Sequence, residues 1–228
     1  MMKNRSKFKI VSLIIAGAFV VLASSCKETL TDIDGNEYKT VKIGKMLWMA
    51  ENLKTTKFSN GDLIETTTPA DMDVSDQKEP KFQWAYKGEE KNVLTYGRLY
   101  TWYAVTDSRN VCPQGWHVIT DEEWNTLANF FGGRNLAAGN LREAGTEHWL
   151  SSNIASNNIS GFTALPGGGR MSNGAFGGKD YFGSWWSTSE VNDSTARYWN
   201  IYYNTNVVDK IKFHKSSAFS VRCVKNQN

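Results

Sequence analysis

The stretch Thr120-Asp121-Glu122-Glu123-Trp124-Asn125-Thr126-Leu127-Ala128-Asn129-Phe130-Phe131-Gly132-Gly133 is the clearest local signal in this chain of 228 residues. Thr120 is a good helix N-cap, and Glu123 stands where its carboxylate reaches back to the cap, which together make a capping box. Trp124, Leu127, Ala128 and Phe131 then recur at the spacing of one helical face, and Gly132-Gly133 stops the run. One well-marked helix is predicted. Further along, the period changes: residues 184–189, 197–203, 207–213 and 218–224 alternate apolar and polar side chains, which predicts four strands in an antiparallel meander. A helix followed by hairpin-connected strands places the chain in the α+β class.

Upstream, Leu99, Tyr100, Trp102, Tyr103 and Ala104 put an apolar stripe on a second short helix over residues 97–105. Residues 29–43 read as a hairpin with Asp34-Gly35-Asn36 at its tip, and residues 46–49 as a strand carrying Trp48 inward. Asp32 opens an Asp-x-Asp-Gly pattern that can begin a calcium loop, but its twelfth position is Ile43, so a turn is the preferred reading. Ala50-Glu51-Asn52-Leu53 is an irregular link. Residues 60–92 form a polar surface excursion interrupted by a strand at 82–86. Residues 134–184 are rich in Gly, Asn and Ser, which predicts long loops with short strands around 161–165. The composition, 40% hydrophobic and 21% charged, excludes a disordered chain and a polytopic membrane protein. A single domain over residues 29–226 is expected.

The N-terminus carries Lys3, Arg5, Lys7 and Lys9, then an uncharged run from Ile10 to Ala23, 14 residues long, and ends in Ser24-Ser25-Cys26. That run is short of the ~20 residues a membrane-spanning helix needs, so residues 1–25 read as a signal peptide. Leu22-Ala23-Ser24-Ser25-Cys26 resembles the bacterial lipobox in the relaxed form of Bacteroidetes lipoproteins. The resemblance implies lipid on Cys26, a tether over 26–28 and an exported outer membrane lipoprotein, held to the membrane by its acyl chains. An ordinary secretory signal and an uncleaved anchor are the alternatives. Lys27 and Glu28 partly resemble a signal for surface exposure. Removing the segment leaves 22 basic against 23 acidic residues, a formal −1, and no basic cluster remains to suggest a nucleic-acid partner.

With Cys26 lipidated, Cys112 and Cys223 remain. In an exported protein the expectation is a disulfide, with two buried free thiols or a metal or catalytic thiol as alternatives. His117, His148 and His214 share no ligand spacing and read as structural. Gly-x-Ser-x-Gly is absent, and the glycine-rich run 174–180 lacks the Ser or Thr that a phosphate loop places after its Lys. An enzyme is therefore not expected. Arg222 and Glu51 are charges that, if buried, would need partners, each other among them.

Several segments together resemble the Fibrobacter succinogenes major paralogous domain, a family of secreted and lipid-anchored bacterial proteins. They are Asp34-Gly35-Asn36 with Tyr38, residues 48–53, Tyr96-Gly97-Arg98-Leu99-Tyr100, Cys112-Pro113-Gln114-Gly115-Trp116-His117, residues 120–124, Leu165-Pro166-Gly167-Gly168, Trp185-Trp186-Ser187 and residues 220–224. That family is similar to the C-type lectin-like fold and to formylglycine-generating enzymes, whose helix start and late strand look like residues 119–124 and 219–222. The resemblance implies a C-type lectin-like α+β scaffold with antiparallel sheets, two short helices and long loops. The copper chemistry of those enzymes needs a close Cys pair, and the pair here sits at scaffold positions. A scaffold does not supply a function; a site does. The leading expectation is a non-catalytic cell-surface binding module presenting loops 134–184 and turn 185–193 to a glycan or protein. The alternative is a structural component of an envelope assembly. Alternation sends Trp185 and Trp186 to opposite faces, one to the core and one available to stack on a sugar. Glu190, Asn192 and Asp193 are the polar candidates and the weak calcium candidates of that turn; otherwise no cofactor is expected. Arg170, Tyr181 and Trp199 are placed at the border of the same surface.

Overall fold

The computed structural model describes residues 29–151 and 154–227; the signal segment, Cys26 and the tether lie outside the described residues. The first half forms β1 (Leu30–Thr31), β2 (Glu37–Tyr38), β3 (Thr40–Ile43), β4 (Met46–Met49), β5 (Gln83–Trp84), α1 (Val93–Tyr96), β6 (Leu99–Thr101), α2 (Trp102–Val105), β7 (Trp116–Val118), α3 (Asp121–Phe130) and α4 (Ala138–Leu141). The second half is strand-rich: β8 (Gly167–Arg170), β9 (Phe176–Lys179), β10 (Phe182–Glu190), β11 (Thr195–Tyr202), β12 (Val208–His214), β13 (Ala218–Phe219) and β14 (Cys223–Lys225). Sheets with a few short helices agree with the α+β expectation at that coarse level. The largest sheet runs β12-β11-β10-β8-β13-β6-β5, with β9 beside β8, and a smaller one runs β3-β4-β14-β7.

The capping box of α3 is complete: Thr120 Oγ1 accepts from the Glu123 backbone N–H at 3.2 Å, and Glu123 Oε2 accepts from the Thr120 N–H at 2.8 Å. The predicted stripe buries Trp124, Leu127 and Ala128. Asp121 adds a dock to the sheet, its Oδ1 accepting from Trp199 Nε1 at 2.8 Å and from Ser187 Oγ at 3.1 Å, with Lys210 Nζ 2.5 Å from Oδ2.

β10 is the wall between two cores. On one face Trp185 joins Trp48, Trp124, Phe162 and Trp199, with Trp124 stacked on Trp199 at 5.6 Å and 11° between planes. On the other, Trp186 joins Tyr100, Tyr198 and Phe219 around the two cysteines. Both tryptophans are fully buried. The alternation of the pair is as expected, but the exposed member is not, because side chains from α2, β13 and β6 cover the second face as thoroughly as α3 covers the first.

Cys112 and Cys223 form a disulfide with Cα atoms 6.0 Å apart, linking positions separated by 111 residues. The turn reading of Asp32 also fits: its Oδ1 accepts from the N–H groups of Asp34 and Asn36 at 3.0 and 2.9 Å, and its Oδ2 from Tyr38 OH at 2.5 Å.

Besides the single turns α1 and α4, which the expected two helices did not include, and a β5 shorter than the strand predicted at 82–86, three further element assignments differ from expectation. The helix predicted over 97–105 is strand β6 followed by the single turn α2. Leu99, Tyr100 and Thr101 are all buried, and pairing with β5 and β13 overrides a spacing that also suits a helix. The strand predicted at 218–224 divides, β13 pairing with β6 and β8, and β14 with β4 and β7, so the meander ends at β12. The short strand around 161–165 lies later, as β8, leaving only an isolated Arg142–Ala164 bridge before it.

Candidate functional site

At the join of the two larger sheets, buried polar groups saturate one another. Asn52 donates from Nδ2 to the Tyr96 carbonyl at 2.8 Å, while its Oδ1 accepts from Trp185 Nε1 at 2.8 Å and Arg222 Nε at 2.9 Å. Gly97 lets this happen: at φ +72° it passes so close to Asn52 and Leu53 that a Cβ would lie 2.7 Å from atoms of both. Arg222 also donates to the carbonyls of Phe162 and Met49 from Nη1 and of Thr163 from Nη2. Burial pushes its pKa down, with Glu51 opposing at longer range. The expected Arg222–Glu51 pair is absent; Glu51 instead accepts from the Lys39 N–H at 2.7 Å and lies 3.8 Å from Lys54 Nζ.

The same saturation removes most of the proposed sugar contacts. Trp185, Trp186 and Trp199 are fully buried and offer no stacking face. Arg170 is buried with its guanidinium 4.0 Å from the centre of the Trp84 ring, and it donates to the carbonyls of Ala70, Met171 and Met72. Tyr181 is exposed, but it packs edge-on against Tyr203, away from the turn at 190–193.

Within that turn a lysine supplies the positive charge. Lys215, only 3% exposed, points its Nζ at Glu190 Oε1 and at the Asp193 carbonyl, the latter 3.0 Å away, above the Trp102 ring at 4.5 Å. Asn192 Oδ1 is used by the turn itself, accepting from the N–H groups of Ser194 and Thr195 at 3.1 and 2.9 Å. Lys215 on Glu190 Oε1 and the turn's own N–H groups on Asn192 Oδ1 therefore weigh against an oxygen cage for calcium at Glu190, Asn192 and Asp193.

Beside Lys215 opens a groove of about 600 Å³ whose walls include Gln77, Lys78, Tyr103, Asp193, His214 and Ser216. Three segments build it. The polar excursion is pinned by the Val74 N–H to Ser172 carbonyl bond at 2.9 Å and by Thr101 Oγ1 donating to the Pro80 carbonyl at 2.6 Å. Helix α2 supplies half-buried Tyr103, held edge-on to Trp102 at 6.0 Å. The β11–β12 end supplies Asp193 and His214, joined through the Lys215 N–H to Ser194 carbonyl bond at 3.0 Å. Among the described residues, the Gln77, Lys78 and Ser216 side chains make no hydrogen bond, so their donors and acceptors face the groove uncommitted.

Of the residues expected at a site, Asp193 and the 134–184 loop residue Ser172 meet here. Tyr103 and the excursion 75–79 were not anticipated. Adjacent side chains on a helical turn diverge in direction, so only one of Trp102 and Tyr103 can point straight into the core. His117 lies between Glu123 Oε1 at 2.9 Å and Asn226 Oδ1 at 2.6 Å. His148 Nδ1 lies 2.9 Å from Glu143 Oε1; with Glu147 these two make the one His/Cys/Asp/Glu cluster compact enough for a metal among the described residues.

A family model described as the Fibrobacter succinogenes major domain matches residues 41–225, which includes every wall of the groove. No curated protein matches, and no solved structure matches.

Proposed function

The chain belongs to the Fibrobacter succinogenes major domain family, and we propose that it is a non-catalytic, lipid-anchored binding module that holds a neutral glycan in the groove beside Tyr103. The observation carrying this reading is the make-up of that groove: hydroxyl, amide, carboxylate and ammonium groups around one half-buried aromatic ring. A pyranose offers hydroxyls to such groups and an apolar face to such a ring. Lys215 supports binding without calcium, because its ammonium neutralises Glu190.

The rest of the proposal is anatomical. We read the scaffold as C-type lectin-like; in support, the segments that carry the likeness touch, the Ile119 N–H donating to the Arg222 carbonyl at 3.3 Å. Among the described residues no helix is long and apolar enough to cross a membrane. The proposed attachment is lipid on Cys26 at the outer membrane, which mass spectrometry of the native N-terminus tests directly. For the groove, the purified chain is applied to a glycan array with and without EDTA. Saccharide binding that survives EDTA and is lost in Tyr103→Ala is the expected result. No saccharide bound under either condition, together with co-purifying envelope proteins, would replace this reading with a structural role in an envelope assembly.

A further inference from the structure

Just after α4 the chain gathers three side chains of metal-binding type. Glu143, Glu147 and His148 each place a donor atom within 4.8 Å of the other two. Local chemistry explains the gathering. Gly145, at φ +83°, takes the left-handed conformation that turns the backbone between the two glutamates. Fixed points on both sides hold the turn: the Glu143 N–H and the Trp149 indole N–H donate to the Ala164 carbonyl at 3.1 and 3.0 Å, and the Leu150 N–H donates to the Asp180 carbonyl at 2.8 Å. Tyr96 meets the His148 imidazole edge-on, with ring centres 5.7 Å apart, and so orients it.

The charge at this turn is unlike that at other sheltered acids. The side chains of Asp34, Asp107 and Asp121 are at most 16% exposed, and each has a lysine within 3.0 Å. Glu143 is also 16% exposed, but among the described residues no Lys or Arg lies against it. Its two oxygens face His148 Nδ1 at 2.9 and 3.0 Å, and Glu147 brings a second carboxylate to the same place. Two carboxylates held together repel, and a divalent cation removes that repulsion.

We propose that Glu143, Glu147 and His148 bind one divalent transition-metal ion of the zinc class. The imidazole decides the class, because Mg²⁺ and Ca²⁺ take oxygen donors, whereas Zn²⁺ takes imidazole and carboxylate together. The two charges of the ion match the two carboxylates, and the ion replaces the proton that His148 and Glu143 share. A tetrahedral ion about 2.0–2.2 Å from each donor holds the donors roughly 3.4 Å apart, which this cluster reaches by small side-chain adjustments. Three protein donors leave a fourth position to water. None of the three residues lines the groove beside Tyr103, so the site stands independently of the glycan reading.

The test is calorimetric titration of the metal-stripped full chain with Zn²⁺, alone and in excess Ca²⁺ and Mg²⁺. One Zn²⁺ per chain is expected, undisplaced by either competitor. Glu147 is exposed and makes no hydrogen bond or ion pair among the described residues, so Glu147→Gln should leave the melting temperature of the metal-free chain unchanged. The same variant should weaken Zn²⁺ binding at least roughly tenfold, since even the outer partners of a metal site are worth about 10–100-fold. In the parent chain, Zn²⁺ should shift the ring resonances of His148 and leave those of His117 and His214 in place. Absence of saturable Zn²⁺ binding, displacement by Ca²⁺ or Mg²⁺, equal affinity in Glu147→Gln, or shifts at His117 or His214 in place of His148 would each overturn the proposal.

Discussion

Around Asn52, a tryptophan, an arginine and an amide meet in the interior, and each polar atom of the amide is matched by a partner from another segment. Around Lys215, an ammonium, a carboxylate and a tyrosine meet at the end of β10, but here the Glu190 side chain is 54% exposed and an open groove lies alongside. Each region joins a cation, an oxygen acceptor and an aromatic ring. The difference is whether the hydrogen-bonding capacity is used up inside the protein, where it fixes the fold, or left over at the rim, where a ligand can take it.

The sharpest way to break that comparison is to truncate one member from each region. Trp185→Ala removes a fully buried ring and the partner of Asn52 Oδ1, and should cost about 3–5 kcal/mol in urea unfolding. Tyr103→Ala at the groove should cost less than about 1 kcal/mol and act on binding instead. Opening the disulfide with Cys112→Ser and Cys223→Ser should lower stability by about 2–5 kcal/mol, read as a fall in melting temperature, since the bond restricts 111 residues of the unfolded chain.

Two smaller effects sharpen the contrast. Arg109 and Lys81 hold the Asp107 carboxyl well below the usual carboxylate range, with burial opposing. A depressed folded pKa stabilises above the unfolded value of 3.8, and the contribution is lost as pH falls through the lower folded value. Asp107→Asn should therefore cost about 1 kcal/mol at neutral pH, and its unfolding midpoint should approach that of the parent only in strong acid. Thr120→Ala, which loses one half of the capping box, should cost about 1 kcal/mol by the same measurement.

What could be read from the sequence was what local chemistry decides. The α3 cap, its stripe and the alternation of β10, β11 and β12 depend on neighbours a few residues away. The pairing of Cys112 with Cys223 was legible through an expectation, that an exported chain whose Cys26 carries lipid has two thiols left to join. Exposure could not be read this way. Trp185 and Trp186 alternate as the pleat requires, but whether either meets solvent depends on which segments cover β10, and those come from across the chain. Leu99-Tyr100-Thr101 looked helical because tertiary pairing, not spacing, makes it a central strand. Arg222 found backbone carbonyls of Phe162 and Thr163, acceptors that every residue carries and no pattern marks. The groove was hidden for the same reason, since Tyr103, Gln77 and Asp193 are distant in sequence and share no motif.

The central claim, that the buried tryptophans hold the fold while the groove beside Tyr103 takes the ligand, is tested most directly by amide NMR. An isotope-labelled chain is titrated with a saccharide selected on the array. Shift changes concentrated at residues 75–79, Tyr103, Ser172, residues 193–194 and 214–216, absent in Tyr103→Ala, are the predicted result. No saturable shifts with any arrayed saccharide, or shifts centred elsewhere on the molecule, would contradict it.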